Sequence, residues 1–212
     1  MSRVFIVGIG PGSRDYIIHE AVDTMRRSDV ILGFERAIDS LKFIDTPKVK
    51  VGKLNDIIDI INSKKYGTVS VAASGDPLFY GITGYIEKNY SGDIEVVPGI
   101  SSFQYMMSKL KKNWQGAYLG SVHGKDDDIL KAAASTGISI WLTDKNNSPD
   151  RICSVLAENN MRCMVYVGEN LSYGDESIIY GTPDKLKNMK FGVLSVVVIE
   201  NLDIREGFQP CI

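Results

Sequence analysis

The sequence predicts an α/β protein of two α/β domains, the first built on a mostly parallel sheet and the second on a mixed one. Three observations carry this. Across residues 1–112, short apolar runs rich in Val and Ile alternate with segments of helical periodicity, the pattern of a parallel sheet with helices packed on it. Loops rich in Gly, Pro and Ser follow three of those runs, at 8–13, 74–77 and 98–102. Beyond the polar stretch Lys109-Leu110-Lys111-Lys112-Asn113 the alternation resumes but ends on a hairpin-like pair of strands, so the second sheet is mixed. The expected domains are therefore 1–112 and 113–212.

The chain is organised around residues 68–82. Thr68–Ala73 is short, apolar and β-favouring, and Ser74-Gly75-Asp76-Pro77 breaks it abruptly. Gly75 allows a positive φ, and Pro77 suits the first turn of a helix expected over 78–89. A loop at the carboxyl end of a buried strand is where open α/β sheets place ligands. The plainer alternative is an ordinary strand-to-helix turn with Asp76 as a cap.

The first strand, Arg3–Gly8, ends in Gly8-Ile9-Gly10-Pro11-Gly12-Ser13. A dinucleotide fingerprint would need a third glycine where Ser13 stands, and Pro11 interrupts the turn, so the G-x-G-x-x-G pattern fails. An amphipathic helix follows over 17–27, with Ile17, Ala21, Val22 and Met25 on one face and His19 as a lone surface histidine. A strand at 29–33, a short helix at 37–43, the strand Lys48–Val51 and the helix Leu54–Asn62 complete the approach to the organising strand. Ile94–Val97 is the next strand, and Ser101 or Ser102 can cap the helix that runs to Leu110. In the second half, strands are expected at 118–122, 139–143, 163–168, 177–180 and 193–199, the last one central. Helices are expected at 126–134 and 148–159, the latter with Pro149 at its start. All the Gly/Pro/Ser loops of the first half follow strands, so they should open on one sheet edge.

Composition narrows the function. With 24 Lys and Arg against 26 Asp and Glu the net charge is −2, which argues against a dedicated nucleic-acid binder. No run of about 18 apolar residues and no signal-peptide pattern is present, so a cytoplasmic protein with no membrane partner is expected. Cys153, Cys163 and Cys211 lack C-x-x-C spacing and the 2 histidines lie far apart, so no metal site is expected.

Together these loops resemble the tetrapyrrole methylase family. Gly8-Ile9-Gly10-Pro11-Gly12 resembles its N-terminal signature, and Gly75-Asp76-Pro77 with Tyr80 its central one. Within the family the chain is most similar to the CbiE type, the cobalt-precorrin-7 C5-methyltransferases (precorrin-6Y methylase, CbiE subunit) of cobalamin synthesis. Ser74-Gly75-Asp76-Pro77-Leu78-Phe79-Tyr80-Gly81-Ile82, then Pro98-Gly99-Ile100-Ser101-Ser102 with Trp114-Gln115, carry the likeness in the first half. Ser121-Val122-His123-Gly124-Lys125 and Glu169-Asn170-Leu171-Ser172-Tyr173 with Asp175-Glu176 carry it in the second. Lys125 stands where the pattern has Arg, Gly174 where it has Pro, and the C-terminus looks shorter than usual.

The resemblance implies a tetrapyrrole methylase fold with S-adenosyl-L-methionine (SAM) in a cleft between the domains, a homodimer, and methyl transfer to C5 of a cobalt-precorrin. It implies that Gly8, Gly10, Pro11, Gly75, Asp76, Phe79, Ser101 and Ser102 border the cofactor, with Leu142 from the second domain. Asp76 places a carboxylate near the cofactor or near loop amides, or acts as a general base. The substrate is a corrin-like ring with many carboxylates. Arg14, Arg36, His123 and Lys125, each in or just after a strand-end loop, are candidates to meet them; the alternative for each is a solvated surface charge. Tyr80 and Tyr173 stack on the ring or pack, with packing preferred for Tyr80. C15 methylation and decarboxylation would belong to a separate CbiT-type chain. The alternatives are a family member with another ring carbon or a diphthamide-type or ribosomal RNA substrate, a nicotinamide-dependent oxidoreductase, and a tetrapyrrole-binding module without catalysis.

Overall fold

The computed structural model describes residues 2–122 and 128–204. In chain order the elements are β1 (Arg3–Gly8), a 3-10 turn (Arg14–Tyr16), α1 (His19–Arg26), β2 (Val30–Phe34), α2 (Glu35–Ser40), β3 (Lys48–Val51), α3 (Leu54–Asn62), β4 (Thr68–Ala73), α4 (Thr83–Asn89) and β5 (Ile94–Val97). Then follow α5 (Ser102–Leu110), β6 (Tyr118–Ser121), α6 (Ile129–Ser135), β7 (Ile138–Leu142), α7 (Pro149–Glu158), β8 (Cys163–Glu169), β9 (Ser177–Gly181), α8 (Pro183–Leu186) and β10 (Ser195–Asn201). The chain divides into two compact units between Ser102 and Phe103, at the start of α5. The contacts of α5 explain that position. Phe103 meets Trp114 edge-on at 5.3 Å, and the Met106 sulfur lies 3.0 Å from where a Cβ on Gly168 would stand.

In the first unit the described strands form one sheet in the order β3-β2-β4-β1-β5. Every neighbouring pair is parallel. The central strands are apolar on both faces because both are covered. Val4, Ile6, Val69 and Val71 pack with Ile57, Ile61 and Ile86 of the helices on one side. Val7, Ile31 and Ala72 pack with Ala21, Met25 and Ile38 on the other. Each buried Val, Ile or Met side chain among these contributes about 1.5–3 kcal/mol. Edge strand β3 carries lysines instead, as edges that must not pair with another chain do. Lys50 reaches Glu35 at 3.1 Å and Asp39 at 3.2 Å.

In the second unit the order is β6-β7-β10-β8-β9. β6 and β7 are parallel, and the other neighbouring pairs are antiparallel, so the sheet is mixed. β10 is central, and β9 is the hairpin partner of β8. One face of this sheet, including Trp141, Val165, Val167, Val197 and Ile199, packs with Ile152, Leu156 and Leu186 of the helices. The alternate residues of β8 and β10 face the other way. There Glu200 accepts from Lys112 at 3.0 Å through both oxygens and from the Tyr166 hydroxyl at 2.9 Å.

Several boundaries differ from expectation, β10 among them, which covers Ser195–Asn201 rather than 193–199. The helix after the organising strand starts at Thr83 and not at 78, so Pro77 is no helix N1 residue. Residues 78–82 turn back instead: the Thr83 hydroxyl donates to the Pro77 carbonyl at 2.8 Å, and Tyr80 takes a positive φ of 52°. α2 covers Glu35–Ser40 rather than 37–43. α1 starts at His19 because residues 14–16 form a separate 3-10 turn capped by the Ser13 side chain.

Cys153 and Cys163 both lie in the core of the second unit. Burial pushes the Cys153 thiol up to about 12 and the Cys163 thiol to about 11. Neither holds a useful thiolate fraction at neutral pH. In a Cys211→Ser background, a thiol-specific disulfide reagent should therefore give no signal from the native protein and full signal from both thiols in concentrated guanidinium chloride. Rapid reaction of either cysteine in native buffer would contradict this burial.

Candidate functional site

β4, β1 and β5 are adjacent parallel strands, so their carboxyl ends share one edge and the three Gly/Pro/Ser loops emerge side by side. The loops are fused there backbone to backbone. Ile9 N–H donates to the Ala73 carbonyl at 2.9 Å. Gly10 and Gly75 form a reciprocal bridge, Gly75 N–H donating at 2.8 Å and Gly10 N–H at 3.3 Å. The approach is closest between Gly8, Gly75 and Gly99. A Cβ on Gly8 would stand 2.6 Å from the Gly99 nitrogen, and one on Gly99 would overlap the Gly75 carbonyl oxygen. Gly75 also holds a φ of 68°. No side chain fits at Gly8 or Gly99, and the positive φ at Gly75 favours glycine.

Asp76 joins the third loop to the second. Its Oδ2 accepts from Gly99 N–H at 3.1 Å, and its Oδ1 accepts from Leu78 N–H at 2.8 Å. Both carboxylate oxygens thus serve loop amides. Ser101 is buried and lies close behind Gly75, whose Cβ would stand 3.6 Å from the Ser101 Cα. Pro11, Phe79 and Ser102 are half-buried around this backbone platform.

Among the described residues of the first unit, the large apolar side chains that stay exposed are Phe34, Leu78 and Tyr80, at 41%, 69% and 46%. Phe34 ends β2, and Leu78 and Tyr80 follow β4, so each lies at the carboxyl edge of the sheet. Tyr80, expected to pack, is exposed at a positive φ of 52°, and its ring meets Phe79 edge-on at 4.9 Å. Of the expected basic contacts, Arg14 is exposed with its guanidinium over the Phe43 ring, 4.6 Å from the centroid. Arg36 is exposed on α2.

The second unit has its own strand-end edge. β10 runs antiparallel to both β7 and β8, so β6, β7 and β8 point one way and Ser121, Leu142 and Glu169 end together. Leu142 is half-buried, and its carbonyl accepts from Val122 N–H at 3.0 Å. Tyr173 is half-buried in the loop that follows β8. His123 and Lys125, the remaining expected substrate contacts, lie outside the described residues. Among the described residues no group of three or more His, Cys, Asp or Glu is arranged to hold a metal ion.

The sequence reading had not placed Gly99 among the site residues, although a glycine directly after a strand end was a signal for close approach. It also missed the part of α5, at Tyr105 and Lys109, that supports the second edge; nothing local marks those two residues.

A doubly covered parallel sheet with three fused strand-end loops, followed by a mixed sheet with loops of its own, defines a two-domain α/β enzyme of the methylase class. The family model Tetrapyrrole (Corrin/Porphyrin) Methylases matches residues 3–187, and the chain belongs to this family of SAM-dependent C-methyltransferases. It is 32% identical over 209 residues to a probable cobalt-precorrin-7 C(5)-methyltransferase of Methanocaldococcus jannaschii, covering 93% of this chain and 97% of that one. It is 24% identical over 198 residues to a cobalt-precorrin-7 C(5)-methyltransferase of Salmonella typhimurium, covering 92% and 98%. In fold it is similar to a uroporphyrin-III C-methyl transferase of Thermus thermophilus complexed with S-adenyl homocysteine, with a TM-score of 0.78 at 20% identity over 94% of this chain and 92% of that one. It is also similar to the precorrin-6Y methylase of Archaeoglobus fulgidus, with a TM-score of 0.72 at 20% identity over 94% and 97%.

The glycine contacts give a direct test. Gly99→Ala should destabilise the protein by roughly 1–3 kcal/mol, the usual cost of forcing atoms into a packed site. A Cβ at Gly84, within α4, would meet nothing within 4 Å. Gly84→Ala should stabilise by about 0.5–1 kcal/mol through helix propensity. Denaturant midpoints that moved the same way for both would refute this account of the platform.

Proposed function

We propose that this protein transfers the methyl group of SAM to C5 of cobalt-precorrin-7 in cobalamin synthesis. The observation that carries the reading is the end-to-end match to the archaeal relative, whose name specifies that reaction. A relative named for C17 methylation of cobalt-factor III is 35% identical, but over only 50% of this chain, which favours the C5 reading over another ring carbon. The fold is shared with a diphthine synthase at 17% identity, and that likeness concerns fold alone.

The residues at the first edge suit an adenosine-bearing sulfonium. Backbone and side-chain polar groups of the loops at Gly8, Ser101 and Ser102, and the second lone pairs of the Gly10 and Gly75 carbonyls, can meet its polar edges, and Pro11 and Phe79 offer apolar surface. SAM supplies a methyl group already activated as a leaving group on sulfur. What remains for the chain is to fix the donor, hold the acceptor carbon in line and exclude water. Fused loops do the first. Asp76 acts by locking the amides of Leu78 and Gly99, which makes it a positioning group rather than a general base. Phe34, Leu78, Tyr80 and Tyr173 offer surface to the macrocycle, and Arg14, Arg36, His123 and Lys125 meet its carboxylates. A homodimer in the cytoplasm, with C15 methylation and decarboxylation carried out by a separate chain, completes the reading.

Calorimetric titration with S-adenosylhomocysteine should show binding near micromolar strength, about −8 kcal/mol, and NADH should show none. Incubation with SAM and cobalt-precorrin-7 should add one methyl group, located at C5 by carbon-13 NMR. Binding of NADH, or methyl gain at another ring carbon, would overturn the assignment. Asp76→Asn keeps one acceptor oxygen and loses the other. It should weaken S-adenosylhomocysteine roughly tenfold, about 1.4 kcal/mol, while leaving the shape of the kcat pH profile unchanged. A pH limb present in the wild type and lost in the variant would restore the general-base role.

A further inference from the structure

The loop at 170–176, which follows β8 on the second strand-end edge, is held in a conformation its own residues disfavour. Asn170 and Ser172 take positive φ values of 46° and 71°. Side chains that adopt the left-handed region do so at a cost, and such conformations persist where surrounding structure imposes them. Here the surrounding structure is specific. Leu171, between the two, is buried, and its side chain lies against Gly168. Tyr173 N–H donates to the Asn170 carbonyl at 2.9 Å, and Glu176 N–H to the Tyr173 carbonyl at 3.1 Å. The Glu176 carboxylate then closes the loop, its Oε2 accepting from Ser172 N–H at 2.6 Å.

Glu176 is anchored from outside the loop. Its Oε1 lies 3.8 Å from the Lys109 ammonium. Tyr105, on the same helix α5, lies close enough to the Glu176 carboxylate for that charge to act on its phenol. Tyr105 is buried, and Lys109 lies over its ring at 5.1 Å. Burial, and next the Glu176 carboxylate, hold the Tyr105 phenol above its ordinary range, so it remains a donor at neutral pH. Loop and helix are thus joined through one carboxylate that reads a backbone amide on one side and two α5 side chains on the other. Tyr173, half-buried, lies within this lock, between Ser172 and Glu176 in the chain.

We infer that Glu176, anchored by Tyr105 and Lys109, is a positioning residue for the methyl-acceptor site, fixing the loop at 170–176 so that Tyr173 meets the corrin ring while the methyl donor is bound elsewhere. This rests on the corrin-methylating reading above, because it assigns Tyr173 to the acceptor. It adds to the acceptor site a loop locked by a carboxylate, where the donor is served by loops locked through their glycines.

The test compares the full-length wild type with Glu176→Gln, Tyr105→Phe, Lys109→Arg, Tyr173→Ala and the Glu176→Gln/Tyr173→Ala double variant. Two binding readouts are taken on each: S-adenosylhomocysteine by calorimetry, and cobyrinic acid, a stable corrin bearing free carboxylates, by fluorescence quenching. The KM for cobalt-precorrin-7 and kcat are measured alongside. Glu176→Gln and Tyr105→Phe should weaken cobyrinic acid and raise KM at least fivefold, with S-adenosylhomocysteine held within twofold of wild type. Lys109→Arg, which keeps the charge, should stay near wild type. Glu176→Gln should add little in the Tyr173→Ala background. Equal loss for both ligands would mean that Glu176 only supports the fold, and unchanged corrin binding or full additivity with Tyr173→Ala would likewise overturn the inference. A wild-type protein that binds S-adenosylhomocysteine but neither binds nor methylates a corrin would overturn the acceptor assignment itself, and this inference with it.

Discussion

The contact on which the first unit depends is backbone against backbone. Gly8, at the end of β1, sits so close to Gly99, after β5, and to the Gly75 carbonyl, after β4, that no Cβ fits between them. The parallel order of these strands brings three loops to one edge, but adjacency alone would leave them independent. The glycines let them touch, the Gly10–Gly75 bridge continues sheet pairing past the strands, and Asp76 ties the last loop in. A loop held at its start by a covered strand and along its length by neighbouring loops has little freedom left to lose when a ligand binds, which is where preorganisation gains affinity.

Such an edge suits methyl transfer from a sulfonium. The donor needs no activation, so what the protein contributes is placement, and placement is what rigid backbone provides. The carboxylate of Asp76 belongs to that role. The chain uses the same device away from the site: Asp29 accepts from Gly67 N–H and Thr68 N–H, both at 2.8 Å, where β4 begins. Asp56 accepts from Gly52 and Lys53 N–H at the start of α3. A carboxylate on two amides is therefore a structural habit of this protein. At Asp76 what differs is the span, since the amides it holds lie in two different loops.

Much of this was legible in the sequence. β1, β3, β4 and β5 and helix α3 fall where their apolar runs and periodicity put them, and so does the mixed second sheet with its central last strand. Convergence of the three loops followed from the parallel reading, because each loop followed a strand. The turn after Pro77 was not legible. Leu78, Ile82 and Ile86 have helical spacing, yet the Asp76 carboxylate takes the Leu78 amide and the Thr83 hydroxyl takes the Pro77 carbonyl. These bonds outcompete a first helical turn, and no local pattern announces them. The Glu176 lock was hidden for a related reason, as Tyr105 and Lys109 lie far from it in sequence and occupy ordinary helical positions.

The two strand-end edges solve the same problem with different chemistry. At the first, loops must touch each other's backbone, so glycine stands at the points of closest approach, Gly8, Gly10 and Gly99, where a Cβ would collide with neighbouring backbone. At the second, the loop after β8 reaches the left-handed region with Asn170 and Ser172, residues that keep side chains, and is held by carboxylates. A backbone lock is set once, by residues that cannot be exchanged. A side-chain lock can be retuned by single substitutions in the anchor, in the loop or in the residue presented. Within a family whose named members methylate different carbons of related rings, the donor is common and the acceptor varies. Fixed glycines at the edge assigned to the donor, and an adjustable carboxylate at the edge assigned to the acceptor, are the arrangement that would let one change without disturbing the other.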